Sequence, residues 1–138
     1  MSEYVVGVDE VGRGSLVGSA IVCAFRSQNS FFQALPFDVS DSKKINKKKR
    51  EEIYNYFKLN KGFNYNYQII VGKKKFIEKF NIHNVVLQCM KKSIILLSKK
   101  TDTVIIDGKF IPNGMEDYKV KALVKADDKI NQVSAASI

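Results

Sequence analysis

The fold is decided at residues 4–25, which read YVVGVDEVGRGSLVGSAIVCAF. The first apolar run, residues 4–8, is rich in valine and predicts a short buried strand that ends at Asp9. The second run, residues 17–25, predicts another strand, and a glycine-rich turn joins the two. This stretch therefore opens a β-sheet and leaves two acidic residues at the end of its first strand.

Downstream, the hydrophobic spacing predicts a mixture of helices and strands. Asn46 is a typical N-cap for a helix over residues 47–58, and residues 84–98 form the clearest long helix. Residues 64–71 alternate as a half-buried strand does. The other predicted elements are a short helix at 73–80, strands at 103–106 and 118–124, and a helix over 131–138. We therefore expect one α/β domain over residues 1–138, whose mixed sheet is antiparallel in its first three strands, parallel afterwards, and flanked by helices.

Length and charge limit the kind of protein and its partners. The chain has 138 residues, which fits one globular domain. It carries 23 Lys and Arg against 14 Asp and Glu, a formal net charge of +9. Such a surplus favours a polyanionic partner because phosphate contacts release condensed counterions. A well-solvated lysine-rich surface is the alternative, since it gives the same count.

The N-terminus and the length of the apolar runs bear on location. The first residues, MSEYVVGVDE, are acidic too early for a secretory signal. No apolar run approaches the roughly 20 residues that a membrane span needs. We therefore expect a soluble, cytoplasmic protein that does not enter a membrane.

Acidic residues stand where the predicted strands finish. Asp9 and Glu10 close the first strand, Asp107 closes the fourth, and Asp127 follows the fifth together with Asp128. Functional sites of open α/β sheets gather at the ends of neighbouring strands, so Asp9 and Asp107 would face each other if their strands are neighbours. Packed carboxylates repel, and their cost must be offset by cations. Hard oxygen ligands suit Mg²⁺ or Mn²⁺.

Two such ions, roughly 4 Å apart, can orient a water nucleophile and stabilise the leaving oxygen in phosphodiester hydrolysis. One geometric condition applies, because consecutive strand residues point to opposite faces of a sheet. Asp9 and Glu10 share a site only if the strand ends there. The alternative interpretation is a solvated turn at Asp9-Glu10, and Asp107-Gly108 is likewise a common turn signal.

The loop Gly12-Arg13-Gly14 offers backbone N–H groups and one guanidinium. A glycine loop of this kind can approach a sugar–phosphate backbone closely, because a side chain at either glycine would block the approach. A plain β-turn is the alternative interpretation of the same residues.

Residues 43–50, KKINKKKR, hold six basic residues in eight. Lys43 and Lys44 precede the predicted helix and can contact phosphate, whereas residues 47–50 are typical of a solvated helix face. His83, the only histidine, is not assigned a role.

These segments together resemble the ribonuclease HII family. GVDEVGRGSLVGSAIVCA at 7–24 is similar to the opening signature of that family, and DSKKINKKKREEIY at 41–54 resembles its next block. The related type HIII enzymes lack the arginine of the GRG triplet, which favours type HII. Further similar blocks are NIHNVVLQCMKKSI at 81–94, IIDGKFIP at 105–112 and VKADDKINQVSAASI at 124–138.

The resemblance implies a ribonuclease H-like fold and an endonuclease. Its expected substrates are RNA–DNA hybrids and duplex DNA that contains single ribonucleotides, as in ribonucleotide excision during DNA replication and repair. Cleavage with Mg²⁺ or Mn²⁺, through a two-metal mechanism, would leave 5′-phosphate and 3′-hydroxyl ends. The expected protein is a monomer.

The resemblance also implies roles for particular residues. Four carboxylates become the catalytic and metal-binding set, and a second group becomes the substrate-binding set, in which the GRG loop senses the 2′-hydroxyl. The carboxylates are Asp9, Glu10, Asp107 and Asp127; the substrate-binding residues are Gly12, Arg13, Gly14, Ser42 and Lys43.

This sequence departs from the family pattern at two places. Ser15 stands where proline is more usual, and the sequence stops at SAASI, where family members continue into a C-terminal helical region that supplies a substrate-stacking tyrosine. We therefore expect a chain that is C-terminally incomplete relative to the family. The alternative function is a non-catalytic or inactive, truncated nucleic-acid-binding domain.

Overall fold

A mixed sheet lies at the centre of the fold. The computed structural model describes residues 4–11, 19–35, 38–39, 45–60, 64–128 and 130–138. The strands of this part of the chain are β1 (Tyr4–Val11), β2 (Ala20–Gln28), β3 (Tyr65–Gly72), β4 (Thr103–Asp107) and β5 (Lys119–Leu123).

The strand order is β3-β2-β1-β4-β5. The pairs β3–β2 and β2–β1 are antiparallel, whereas β1–β4 and β4–β5 are parallel. The predicted fold class is therefore confirmed, and β1 and β4 are neighbours as the site requires.

Helices cover both faces of the sheet. Val86, Met90 and Ile94 of the long helix pack on one face against Val6 and Val8 of β1. The first and last helices pack on the other face around Phe25 of β2. None of the helices in the described ranges is both long and apolar enough to span a bilayer. The helices are α1 (Lys47–Leu59), α2 (Lys74–Phe80), α3 (Ile82–Leu97) and α4 (Asn131–Ser137), with 3-10 helices at Asn29–Ala34 and Ala126–Asp128.

Side-chain caps set where two of the helices begin. The Oδ1 atom of Asn46 accepts a hydrogen bond from the N–H of Lys49 at 2.8 Å, which confirms the predicted N-cap of α1. Helix α3 begins at Ile82, two residues before the predicted start. The reason is Asn81, whose side chain accepts from the N–H of Asn84 at 3.1 Å.

The prediction that β1 ends at Asp9 is wrong, because the strand continues to Val11. Its antiparallel pairing with β2 runs on past both acidic residues, with Asp9 opposite Cys23 and Glu10 opposite Val22. Backbone hydrogen bonds hold this segment whatever the polarity of its side chains. The acidic pair therefore sits within a regular strand and not in a turn.

The second strand spans Ala20–Gln28 and so continues beyond the predicted end at residue 25, whereas the predicted positions 17 and 18 lie outside the described residues. Its polar end is held by distant partners. The guanidinium of Arg26 donates to the carboxylate of Asp102 at 2.6 and 3.2 Å. The side-chain amide of Gln132 donates to the carbonyl of Ser27 at 3.1 Å.

Helix α4 lies directly on the backbone of β1 at Gly7. A Cβ atom at this position would be 2.3 Å from the carbonyl carbon of Gln132 and 2.3 Å from the backbone nitrogen of Val133. Only glycine permits so close an approach of a helix backbone to a strand. Gly7 thus fixes the distance between α4 and the sheet.

We expect Gly7→Ala to lower the free energy of unfolding by about 1–3 kcal/mol, because the added methyl group must push α4 away from β1. Thermal unfolding followed by circular dichroism would show a melting temperature several degrees lower. Leu96→Ala, an apolar side chain that is 56% exposed on α3, across the sheet from α4, serves as the control. Equal melting temperatures for Gly7→Ala and the wild type would contradict the packing described.

Candidate active site

Two aspartates lie side by side at the carboxyl end of the parallel strands. The register of β1 and β4 pairs Val8 with Ile106, so that Asp9 and Asp107 come next along the two strands. Asp107 is the last residue of β4. Side chains alternate along a strand, so Asp9 projects from the same face as Gly7, the face that α4 covers.

A third aspartate reaches the same place from the segment after β5. Asp127 lies in the 3-10 helix Ala126–Asp128 and is only 5% exposed. The backbone N–H of Ala126 donates to Oδ1 of Asp107 at 3.3 Å, and Asp127 lies close enough to Asp107 for its charge to raise the pKa of that carboxyl group. The hydroxyl of Ser134, on α4, donates to the carbonyl oxygen of Asp127. Helix α4 therefore helps to position this third carboxylate.

The three aspartates form a cluster of carboxyl groups that affect one another's pKa values. The pKa of Asp9 is raised from 3.8 to about 8, first by burial and then by the charges of Asp107 and Asp127. Burial and the charge of Asp127 also raise the pKa of Asp107, although backbone N–H groups of Ala126 and Lys125 partly oppose the shift. Asp9 thus keeps its proton at pH values where ordinary carboxyl groups are ionised.

Glu10 lies at the same edge of the sheet but on the opposite face. Together with Asp107 it lines a cavity of about 260 Å³, whose other walls include Val86 and Met90 of α3. This separation follows from the regular alternation of β1 through Val11. Of the four predicted carboxylates, the structure brings Asp9, Asp107 and Asp127 together and places Glu10 on the opposite face of the sheet.

The chemistry of the cluster suits a divalent cation, although its present arrangement is not that of a finished metal site. No group of three His, Cys, Asp or Glu side chains in the described ranges is arranged to hold a metal ion as it stands. A bound cation would compensate the negative charge that Asp9, Asp107 and Asp127 bring together. Hard carboxylate oxygens, and pKa values raised first by burial and then by mutual repulsion, both fit Mg²⁺ or Mn²⁺.

The predicted substrate-binding residues lie outside the described part of the chain. They are Gly12, Arg13, Gly14, Ser42 and Lys43.

One aromatic pair at the site was not predicted. His83, which the sequence left without a role, contacts Phe110 edge to face, with ring centroids 4.8 Å apart. Both residues line the cavity that contains Glu10 and Asp107. The sequence signal was weak: Phe110 and Ile111 are two apolar residues in an otherwise polar loop just after Asp107-Gly108.

We expect the metal-free protein to lose stability as the pH rises from about 4 to about 8. Across this range the folded state keeps a proton on Asp9 that the unfolded chain has released, so the free energy of unfolding falls. Asp9→Asn removes this titration and should raise the melting temperature at pH 8 in EDTA by on the order of 5 °C. Thermal unfolding at pH 5 and pH 8 measures both effects.

The matched control for this experiment is Asp117→Asn, which changes an exposed aspartate in the loop before β5. It should leave the pH dependence as it is in the wild type. If Asp9→Asn and the wild type lost stability equally between pH 5 and pH 8, the electrostatic description of the cluster would be wrong.

Comparison with known proteins finds a family and relatives that the sequence resembles. The sequence matches the family model described as Ribonuclease HII over residues 6–138. A curated relative, Ribonuclease HII of Pelagibacter ubique, is 41% identical over 136 residues, which cover 99% of this chain and 69% of the relative.

Solved structures agree on the fold. The ribonuclease H2 of Pyrococcus horikoshii is 24% identical, with a TM-score of 0.74, over 96% of this chain and 68% of the other. A Bst ribonuclease HIII, solved in complex with Mn²⁺, is 18% identical, with a TM-score of 0.68, over 98% of this chain and 49% of the other.

Proposed function

We propose that this chain, which belongs to the ribonuclease HII family and is a ribonuclease H enzyme, cleaves RNA–DNA hybrids with divalent metal ions. The proposed substrates are the RNA strand of a hybrid and ribonucleotides embedded in duplex DNA. The proposed products carry 5′-phosphate and 3′-hydroxyl ends. The observation that carries the proposal is the meeting of Asp9, Asp107 and Asp127 at one edge of the sheet.

The raised pKa of Asp9 supports the metal part of this proposal. Three carboxyl groups that repel one another are costly to bury without a cation, and the cost falls once a divalent ion compensates their charge. Asp9, Asp107 and Asp127 would hold Mg²⁺ or Mn²⁺, with Glu10 completing the acidic edge from the other face. A pair of such ions would activate water for attack on phosphorus and stabilise the leaving 3′-oxygen.

Two hydrogen bonds within the chain position Asp107 and Asp127. The backbone N–H of Ala126 holds Oδ1 of Asp107, and the hydroxyl of Ser134 holds the carbonyl of Asp127. The first bond orients the carboxylate of Asp107 and the second holds the backbone of Asp127 before substrate arrives, which saves reorganisation during the reaction.

Substrate recognition is proposed from sequence likeness and charge. Gly12, Arg13 and Gly14 would sense the 2′-hydroxyl, and Ser42 and Lys43 would contact the phosphate backbone. The net charge of +9 favours a polyanionic substrate, and binding should therefore weaken as salt rises.

We expect Asp107→Asn to reduce cleavage by on the order of a thousandfold, because it removes a charge from the centre of the acidic cluster. The assay uses duplex DNA that carries one ribonucleotide, with Mg²⁺ or Mn²⁺ present. Cleavage on the 5′ side of the ribonucleotide is the expected wild-type result. Affinity for the same duplex, measured separately, should change little in the variant.

Asp117→Asn is again the control. This exposed residue lies just before the start of β5, whereas Asp107 lies at the end of the parallel strand β4, so the two are at opposite ends of the strands. It should cleave as the wild type does. EDTA should abolish cleavage, and added Mg²⁺ or Mn²⁺ should restore it. Turnover retained in Asp107→Asn would refute the assignment, whereas a wild-type protein that binds the duplex and never cleaves it would be a nucleic-acid-binding domain only.

A further inference from the structure

The cavity beside Glu10 and Asp107 has an apolar floor and an aromatic rim. Its volume is about 260 Å³, and Val86, Met90 and Ile106 line its inner part. His83 and Phe110 border it where it opens to solvent, since both side chains are exposed. The proposed chemistry at Asp9, Asp107 and Asp127 does not use this apolar surface.

Phe110 is an unusually exposed side chain for its position. Its ring is 57% exposed, and the next residue, Ile111, is 43% exposed. These two adjacent apolar side chains form an exposed apolar surface beside Asp107, where a substrate bound at the aspartates would meet it. The same loop joins directly to β4, so its place relative to Asp107 is fixed by the sheet.

His83 holds the ring of Phe110 in place. The rings meet edge to face at 81°, with centroids 4.8 Å apart, which is the favoured geometry for such a pair. His83 itself is held in the first turn of α3, which the side chain of Asn81 caps. The pair thus connects the start of α3 to the loop that follows β4.

We propose that Phe110, positioned by His83, packs against the sugar of a nucleotide next to the scissile phosphate. This inference rests on the proposed function, because it takes the scissile phosphate to lie at Asp107. Three residues of chain span at most about 10 Å, whereas successive nucleotides of one strand are about 3.4 Å apart along the helix axis. Phe110 is therefore within reach of the nucleotides that flank the phosphate.

The sugar is the group that such a surface would meet in a duplex. The bases of a hybrid are stacked inside the helix, and its wide, shallow minor groove presents sugars to a protein. An exposed aromatic side chain beside an apolar floor suits the carbon face of a sugar.

The test compares variants in hybrid binding and in cleavage. Phe110→Ala should raise the KM, and the Kd for a hybrid measured in EDTA, by about tenfold, while the kcat changes by less than about twofold. Phe110→Leu retains apolar surface and should recover most of the affinity. His83→Ala should weaken binding in the same direction by about threefold, because Phe110 loses its support.

Tyr54→Ala is the matched control. Tyr54 is also an exposed aromatic residue, at 40%, but it lies on α1, against the other face of the sheet. This variant should bind and cleave as the wild type does. A second control is a substrate in which each nucleotide flanking the cleavage site lacks its base but keeps its sugar, and the affinity ratio of wild type to Phe110→Ala should persist on it.

Two results would overturn the inference. The first is a Phe110→Ala variant with wild-type Kd and KM; the second is loss of the affinity ratio on the base-free substrate, which would assign the contact to a base. A wild-type protein that binds hybrids without cleaving them would refute the proposed function alone. The Kd ratio measured in EDTA would then still decide whether Phe110 contacts the nucleic acid.

Discussion

The contact between Gly7 and the backbone of α4 is the constraint on which the acidic site depends. Because no side chain stands between strand and helix, α4 lies against β1 at the distance of direct backbone contact. That placement brings Ser134 to the carbonyl of Asp127 and thereby brings Asp127 to the end of β4. A single missing side chain in β1 thus allows a residue near the end of the sequence to meet Asp9.

Strand β4 has an acidic residue at each end, and the two occupy opposite electrostatic environments. Asp102, just before the strand, is buried and forms a two-point ion pair with Arg26, and it also accepts from the N–H of Lys99 at 2.8 Å. Asp107, at the other end, meets other carboxyl groups. A buried carboxylate with a bidentate guanidinium partner serves stability, whereas clustered carboxylates are costly to the fold. The contrast separates a structural aspartate from the acidic site within one short strand.

The sequence predicted what depends on local pattern. Valine-rich runs and helical spacing located the elements, whereas the sequence left open whether β1 and β4 are neighbours, which the strand order of the structure answers. Features that depend on contacts between residues far apart in the sequence were not predicted. The polar end of β2 is a strand because Arg26 and Ser27 meet Asp102 and Gln132, which lie 76 and 105 residues away. His83 and Phe110 were missed for the same reason, since nothing near either residue indicates that their rings touch.

The alternation at Asp9 and Glu10 has a consequence for the way a substrate lies. One strand carries these neighbours to opposite faces, so the edge of the sheet has an aspartate cluster on one side and an apolar, aromatic surface on the other. A nucleic-acid strand crossing that edge meets the two surfaces in a fixed order. For a substrate bound as proposed, the 5′-to-3′ and 3′-to-5′ orientations would therefore not be equivalent, and the asymmetry of a single β-strand would let the protein distinguish them.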